Sequence, residues 1–158
     1  RSGKDKKYQI IHAYGRYGKW FPDLLKEKGC NIEECDNLDI REFINDMPVC
    51  LAAADLVICR AGAMTISELQ AQGKPAVLIP SPNVAENHQY HNAMSLVNAN
   101  AARIIEEKDL TPEKLTETVD EMVKDPQRLN EYAENAKKTA ILDSNERILS
   151  IIKKFVKL

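Results

Sequence analysis

The sequence predicts an α/β domain with a parallel, doubly wound sheet, and three observations carry that prediction. Strand-like and helix-like segments alternate from Tyr8 to Ile105. Leu56–Cys59 is an apolar run without alternation, the pattern of a strand covered on both faces, and Lys74–Pro80 brings a second apolar run. The last third of the chain, from Thr111, is helical throughout. At 158 residues the length suits about one domain, and no repeat or low-complexity tract marks a boundary. The balance of 22 basic and 24 acidic side chains provides neither a basic footprint for nucleic acid nor a polybasic membrane anchor. No apolar stretch reaches the roughly twenty residues of a membrane span, and no signal peptide precedes the first strand. The four cysteines, Cys30, Cys35, Cys50 and Cys59, lack CxxC spacing and read as reduced thiols of a cytosolic protein. Arg1–Lys7 reads as a trimmed loop, and the chain as a fragment.

Taken in order, Tyr8–Tyr14 is the first strand and Gly15–Gly18 the turn after it. A helix over Trp20–Lys28 stops at Gly29, a C-terminal cap. Asn31–Cys35 reads as a short strand interrupted by two glutamates. Asp39–Asn45 reads as a loop or single turn. Pro48–Ala54 is a short helix, with Pro48 in its first turn and Asp46 as its cap. Asp55–Gly73 then gives strand, tight turn and helix: the turn spans Arg60–Gly62, Ile66 and Leu69 share one helix face, and Thr65, Glu68 and Gln72 share another. Pro82 keeps Ser81–Val84 in a loop. Ala85–Asn98 is a helix with Tyr90, Ala93, Met94 and Val97 as its apolar stripe, and Ala101–Ile105 is the last strand. Glu106–Leu110 is a connection. Thr111-Pro112 opens a helix to Lys124, Asp125-Pro126 opens another over Gln127–Ala140, and Asp143–Asn145 opens the last. In that last helix Ile148, Ile151, Ile152, Phe155 and Val156 form a stripe that must cover something.

The turn at Arg60–Gly62 sits at the carboxyl end of a strand, where open α/β sheets bind their ligands. Its RAGA run can present backbone amides to a phosphate at a helix N-terminus, or can be a plain strand-to-helix turn. Glu68 can accept two hydrogen bonds from a vicinal diol such as a ribose, or can be a solvated helix-face carboxylate. Arg60 can be a counter-charge for the phosphate or the partner of a nearby acid. His88, Gln89, His91 and Asn92 cluster near a helix start, and the faces they share can converge on a hydroxylated ligand. No carboxylate or cysteine at usable spacing turns the histidine pair into a metal site. His12, inside an apolar strand, reads as a core histidine. There is no GxGxxG, no GxxxxGK[ST] and no nucleophile triad. The residues describe a polar cleft without a catalyst.

Several ordered motifs carry a resemblance. The stretches Phe43-Ile-Asn-Asp-Met47, Ala54-Asp55, Cys59-Arg-Ala-Gly-Ala-Met-Thr-Ile-Ser-Glu68, Gly73-Lys-Pro-Ala-Val-Leu-Ile-Pro80 and Glu86-Asn-His-Gln-Tyr-His-Asn-Ala93 resemble the C-terminal half of the MurG glycosyltransferases. These bacterial enzymes move N-acetylglucosamine from UDP-GlcNAc onto lipid I to make lipid II in peptidoglycan synthesis. The resemblance runs from about Tyr8 to the last helix. It implies a GT-B fold, of which this chain is the second Rossmann-like domain, with helices on both faces of its parallel sheet. It implies that the backbone at Ile44 reads the uracil, that the turn at Arg60 and Gly62 with Ala63, Met64 and Thr65 lies against the diphosphate, and that Glu68 holds the ribose. Gln89 and Asn92 are implied to reach the sugar hydroxyls; His88 stands where some members have a second glutamine. Met64 stands where leucine is frequent, a volume-conserving change.

The family's GGSxGA loop and its N-terminal domain, with the acceptor site, membrane-facing patch and catalytic base, have no counterpart in these residues. The resemblance therefore implies a single donor-binding domain over residues 1–158. The longer protein is implied to be an inverting hexosyltransferase, peripheral on the cytoplasmic face of the plasma membrane, that needs no cofactor or metal. Its partners are UDP-GlcNAc and lipid I, not nucleic acid. The piece alone is expected to transfer nothing. A UDP-GlcNAc 2-epimerase half, a donor-binding subunit joined by a separate acceptor-binding chain and a non-catalytic flavodoxin-like module are the alternatives.

Overall fold

A computed structural model of the chain describes residues 7–156. The segment read as a trimmed loop lies, apart from Lys7, outside them. The chain forms two compact units, the first ending at Ala53 and the second beginning at Ala54.

The first unit contains β1 (Ile10–Ala13), α1 (Phe21–Glu27), a 3-10 turn (Ile32–Glu34), β2 (Leu38–Arg41) and α2 (Met47–Ala53). β1 and β2 run parallel, with Ile10 opposite Leu38 and Ala13 opposite Arg41. Two expectations are corrected here. Asn31–Cys35 holds a 3-10 turn instead of a strand, and the strand lies at 38–41, in the stretch read as loop. The charged Asp39 and Arg41 hid it. They occupy one face of the strand at period two, and Arg41 Nε donates to Asp39 Oδ1 at 2.9 Å, so each supplies the other's partner. Asp46 takes the N-cap position of α2 through its backbone, its carbonyl accepting from Val49 and Cys50 at 2.9 and 3.1 Å. Its carboxylate accepts from Arg41 Nη1 at 2.7 Å.

The turn between β1 and α1 depends on a close backbone approach. A Cβ at Gly18 would stand 2.1 Å from the carbonyl oxygen of Tyr14, an atom that cannot swing aside. Gly18→Ala is expected to force the turn open and to lower stability by about 1–3 kcal/mol, the usual cost of overpacking; the urea midpoint measures it, and an unchanged midpoint would contradict the packing described.

The second unit contains β3 (Val57–Cys59), α3 (Ala63–Gln72), β4 (Ala76–Leu78), α4 (His88–Asn98), β5 (Ala102–Ile104), α5 (Pro112–Lys124), α6 (Pro126–Lys138) and α7 (Ser144–Phe155). β3, β4 and β5 form a parallel sheet in that order. The central strand β4 is buried along its length. Its Ala76 and Leu78 join one core with Ile66, Leu69, Ala93, Leu96 and Ala136, while Val77 joins another with Ile105, Met122 and Tyr132. Alternate residues of a strand point to opposite faces, so helices cover this sheet on both sides. β3 departs from the expectation of full burial. It is an edge strand of this sheet, and Ile58 is 46% exposed.

Gly73 ends α3 in the left-handed conformation (φ 63°). A side chain there would also meet the methylenes of Lys137, 2.5 Å away. α4 begins at His88, three residues later than its sequence suggests. Glu86 and Asn87 take positive φ of 50° and 51°, and a 3-10 turn over Ala85–Asn87 replaces the first helical turn. The caps of the helical third are as expected. Thr111 Oγ1 accepts from Lys114 N at 3.1 Å, and Asp125 Oδ1 accepts from Gln127 N and Arg128 N at 3.0 and 3.2 Å. Such a cap contributes about 1 kcal/mol. Asp143 differs, because its carboxylate accepts from Arg147 Nε one turn on, at 2.8 Å. The stripe of α7 stays open; no residue of the helix is buried, and Phe155 is 84% exposed. No helix of the described residues is long and apolar enough to cross a membrane.

Candidate functional site

The site in the second unit is built at the carboxyl ends of its three strands. The chain leaves β3 at Cys59, turns through Arg60–Gly62, and enters α3 with Gly62 in the N-cap position (φ −66°, ψ 147°). Glycine has no side chain to cap with, and the first helical bond, Ile66 N to Gly62 O, forms at 2.9 Å. The amides of Ala63, Met64 and Thr65 therefore face outward without intrahelical partners, at the positive end of the helix dipole. Ala63 and Met64 are exposed and Thr65 is half-buried. One turn further on, Glu68 is exposed while its neighbours Ile66 and Leu69 are buried, so the helix separates a packing face from a polar one. Burial, with the negative charge of Glu68 adding to it, pushes the Cys59 thiol up to about 11. The carboxylate thus lies within electrostatic reach of the strand end.

α4 closes on this turn through Asn92, whose Nδ2 donates to the carbonyl of Ala61 at 3.0 Å. Gln89 Oε1 accepts from Ser81 N at 2.9 Å and holds the loop after β4. Each bond uses half of the side-chain amide; the other half is a second, separate hydrogen-bonding group. His88 Nδ1 lies 2.9 Å from the carbonyl of Ala85. Since a carbonyl only accepts, Nδ1 carries the proton in this bond, which leaves Nε2 facing away as the ring's second hydrogen-bonding atom.

Arg60 does not stand free at the turn. Its guanidinium donates to the carbonyl of Ile79 at 3.2 Å and pairs with the carboxylate of Glu107, joining the ends of β3 and β4 to the 3-10 turn Glu107–Asp109 that follows β5. The sequence allows a nearby acid as partner of Arg60 without specifying which; Glu107 is 47 residues away, and the parallel sheet brings it near. Glu107 also borders an open depression of about 330 Å3, lined by Pro80, Pro82, Tyr90 and Lys108 among others.

In the first unit Ile44 is buried at 9% exposure, on the segment between β2 and α2. Its chain neighbours Phe43 and Asn45 line a depression of about 480 Å3 with Arg16, Lys19 and Glu42. Phe43 is 70% exposed. Arg16 and Lys19 were not singled out by the sequence; a glycine turn ending a strand was the available signal. His12 is half-buried with its ring 4.6 Å from that of Phe21, and burial lowers its pKa, as for a core histidine. Among the described residues no group of three His, Cys, Asp or Glu side chains could hold a metal ion.

Parallel strands covered by helices, with a polar turn and an uncapped helix start at their carboxyl edge, define an α/β domain of the open-sheet class. The sequence model of the glycosyltransferase family 28 C-terminal domain matches residues 2–148, and the chain belongs to that family. It is 42% identical over 157 residues to a protein of Acetivibrio thermocellus named UDP-N-acetylglucosamine–N-acetylmuramyl-(pentapeptide) pyrophosphoryl-undecaprenol N-acetylglucosamine transferase, covering 99% of this chain and 42% of the relative. A Bacillus cytotoxicus protein of the same name is 40% identical over 155 residues, covering 97% of this chain and 41% of the relative. The chain thus spans less than half the length of these curated relatives. Among solved structures it is similar to Acinetobacter baumannii MurG, with a TM-score of 0.76 and 31% identity over 92% of this chain and 42% of that one. It also shares its fold with the glycosyltransferase VinC, with a TM-score of 0.59 and 16% identity over 83% of this chain and 33% of that one.

Proposed function

We propose that the chain is the donor-binding half of an inverting glycosyltransferase that moves N-acetylglucosamine from UDP-GlcNAc to lipid I, forming lipid II in peptidoglycan synthesis. The observation that carries this reading is the uncapped start of α3 followed one turn later by exposed Glu68. Its family and its relatives' name supply the ligand. In this reading the amides of Ala63, Met64 and Thr65, with Gly62 leaving the approach open, meet the diphosphate. Glu68 accepts from both ribose hydroxyls, and the backbone at Ile44 reads the uracil. The hydrogen-bonding groups that Gln89 and Asn92 keep for a ligand, with His88 Nε2, meet the sugar hydroxyls. Arg60 serves the diphosphate only by exchanging Glu107 for it.

Fixed amide dipoles at the diphosphate stabilise the charge that builds on the leaving group, and they need no reorganisation to do so. In this reading the described residues hold the donor, and neither a base to activate an acceptor nor a wall to hold one is assigned among them. Proximity of the two substrates, worth several kcal/mol of barrier, must come from the remainder of the longer protein. That remainder also supplies the contact with lipid I and with the cytoplasmic membrane face. Titrating the isolated chain with UDP and UDP-GlcNAc while recording amide NMR spectra is the test. Shifts at Ile44, Ala63–Thr65, Glu68, Gln89 and Asn92, with no sugar transfer, are expected. An unaltered spectrum at millimolar ligand would overturn the donor reading.

A further inference from the structure

We infer that Cys30 and Cys35 form a thiol–disulfide exchange site, a dithiol that a neutral or cationic low-molecular-weight disulfide converts to an intramolecular Cys30–Cys35 bond. The two sulfurs lie 3.9 Å apart across the single 3-10 turn Ile32–Glu34. A disulfide holds its sulfurs at about 2.05 Å, so side-chain rotation has only about 2 Å to close. The backbone holds both ends. Cys30 N donates to Leu25 O at 2.9 Å where α1 ends, and Cys35 N donates to Ile32 O at 3.1 Å. The carbonyl of Cys35 accepts from Leu38 N at 3.3 Å, where β2 starts.

Both thiols are half-buried and within reach of a small reagent, whereas Cys50 is buried. Neither takes part in the proposed donor site. Burial, the Cys30 sulfur and the flanking carboxylates of Glu34 and Asp36 raise the Cys35 pKa. The nucleophile is a thiolate, here that of Cys30, the first sulfur to attack in the exchange. Its thiolate displaces one half of the reagent R–S–S–R as RS⁻ and forms a mixed disulfide. Cys35 then passes its proton to the released RS⁻ and attacks the Cys30 sulfur, expelling the second half, which leaves as RSH after taking up a proton from water. Counting the proton that Cys30 loses on ionising, two protein thiols become one disulfide and one small disulfide becomes two small thiols. The two electrons lost by the protein sulfurs reduce the reagent.

Charge sets which reagents enter. The exposed carboxylates of Glu33, Glu34 and Asp36 outnumber the exposed Lys28 beside the pair, so an anionic disulfide is repelled and a cationic one attracted, an effect that salt screens.

Tryptic mapping of the reduced, folded chain tests this directly. Cleavage after Lys28 and Arg41 places Cys30 and Cys35 together in peptide 29–41, while Cys50 and Cys59 fall together in peptide 42–60. After brief treatment with cystamine, acid quench and alkylation in denaturant, peptide 29–41 is expected to have lost two hydrogens and to carry no alkyl group. Peptide 42–60 should be doubly alkylated. Cys35→Ser should trap one cystamine half on Cys30. At low salt cystamine should react faster than glutathione disulfide, and the difference should narrow as salt is raised. Two alkyl groups on peptide 29–41, two trapped reagent halves without an internal bond, equal oxidation of peptide 42–60, or equal rates for the two reagents at low salt would each overturn the inference.

Discussion

Glu68→Ala in the full-length enzyme is expected to weaken donor use by roughly a hundredfold, read as a rise in the KM for UDP-GlcNAc. The carboxylate is the one group on the outer face of α3 able to accept from both hydroxyls of a vicinal diol. A hydrogen bond to a charged group contributes about 1.5–3 kcal/mol, so the loss of a bidentate pair amounts to about 3 kcal/mol, or roughly two decades of affinity. Because Glu68 is exposed, its removal should leave folding stability within about 0.5 kcal/mol of the parent, as for other surface changes. Glu68→Gln keeps one acceptor oxygen and should fall between the two. A KM that does not move in either variant would remove Glu68 from the site and leave the turn at Gly62–Thr65 to be tested alone.

Leu69→Ala, one residue on, is expected to do the reverse. Leu69 is fully buried in the core formed with Ile66, Leu78, Ala93, Leu96 and Ala136. Several of its neighbours are alanines, which have no side chain long enough to swing into the space left behind. Truncating a buried leucine costs about 2–5 kcal/mol, and the shortage of adaptable neighbours places this site toward the upper end. For a chain of this size the melting temperature should drop by roughly 5–15 °C. Donor affinity measured well below the new melting temperature should change little, since Leu69 faces away from the polar side of α3. A melting temperature lowered by less than a degree or two would mean that the core relaxes around the deletion and that the packing assigned to Leu69 is wrong.

The contrast between these neighbours shows what local pattern makes legible. Ile66 and Leu69 at helical spacing, Gly62 before the helix and Gly73 after it were enough to place α3, its packing face and its open N-terminus. Thr111-Pro112 and Asp125-Pro126 likewise marked α5 and α6, because a cap and a first-turn proline act within three or four residues. Where the decisive partner is distant, or where a charge replaces an apolar residue, the pattern fails. β2 was hidden because Asp39 and Arg41 neutralise each other on its face. The start of α4 moved because Glu86 and Asn87 accept positive φ, a choice their sequence permits but does not dictate.

By itself, then, the sequence determined the alternation of elements, the parallel class and the polar face at the end of β3, all of which are legible in patterns of residues close in the chain. The tertiary structure alone decided which residues meet across that distance: Arg60 with Glu107, Asn92 with the carbonyl of Ala61, and β3 at the edge of its sheet with Ile58 exposed. It also decided that the apolar stripe of α7 lies open among the described residues. Periodicity states which face of a helix gains by burial. Whether another surface is there to bury it depends on the whole arrangement of the chain.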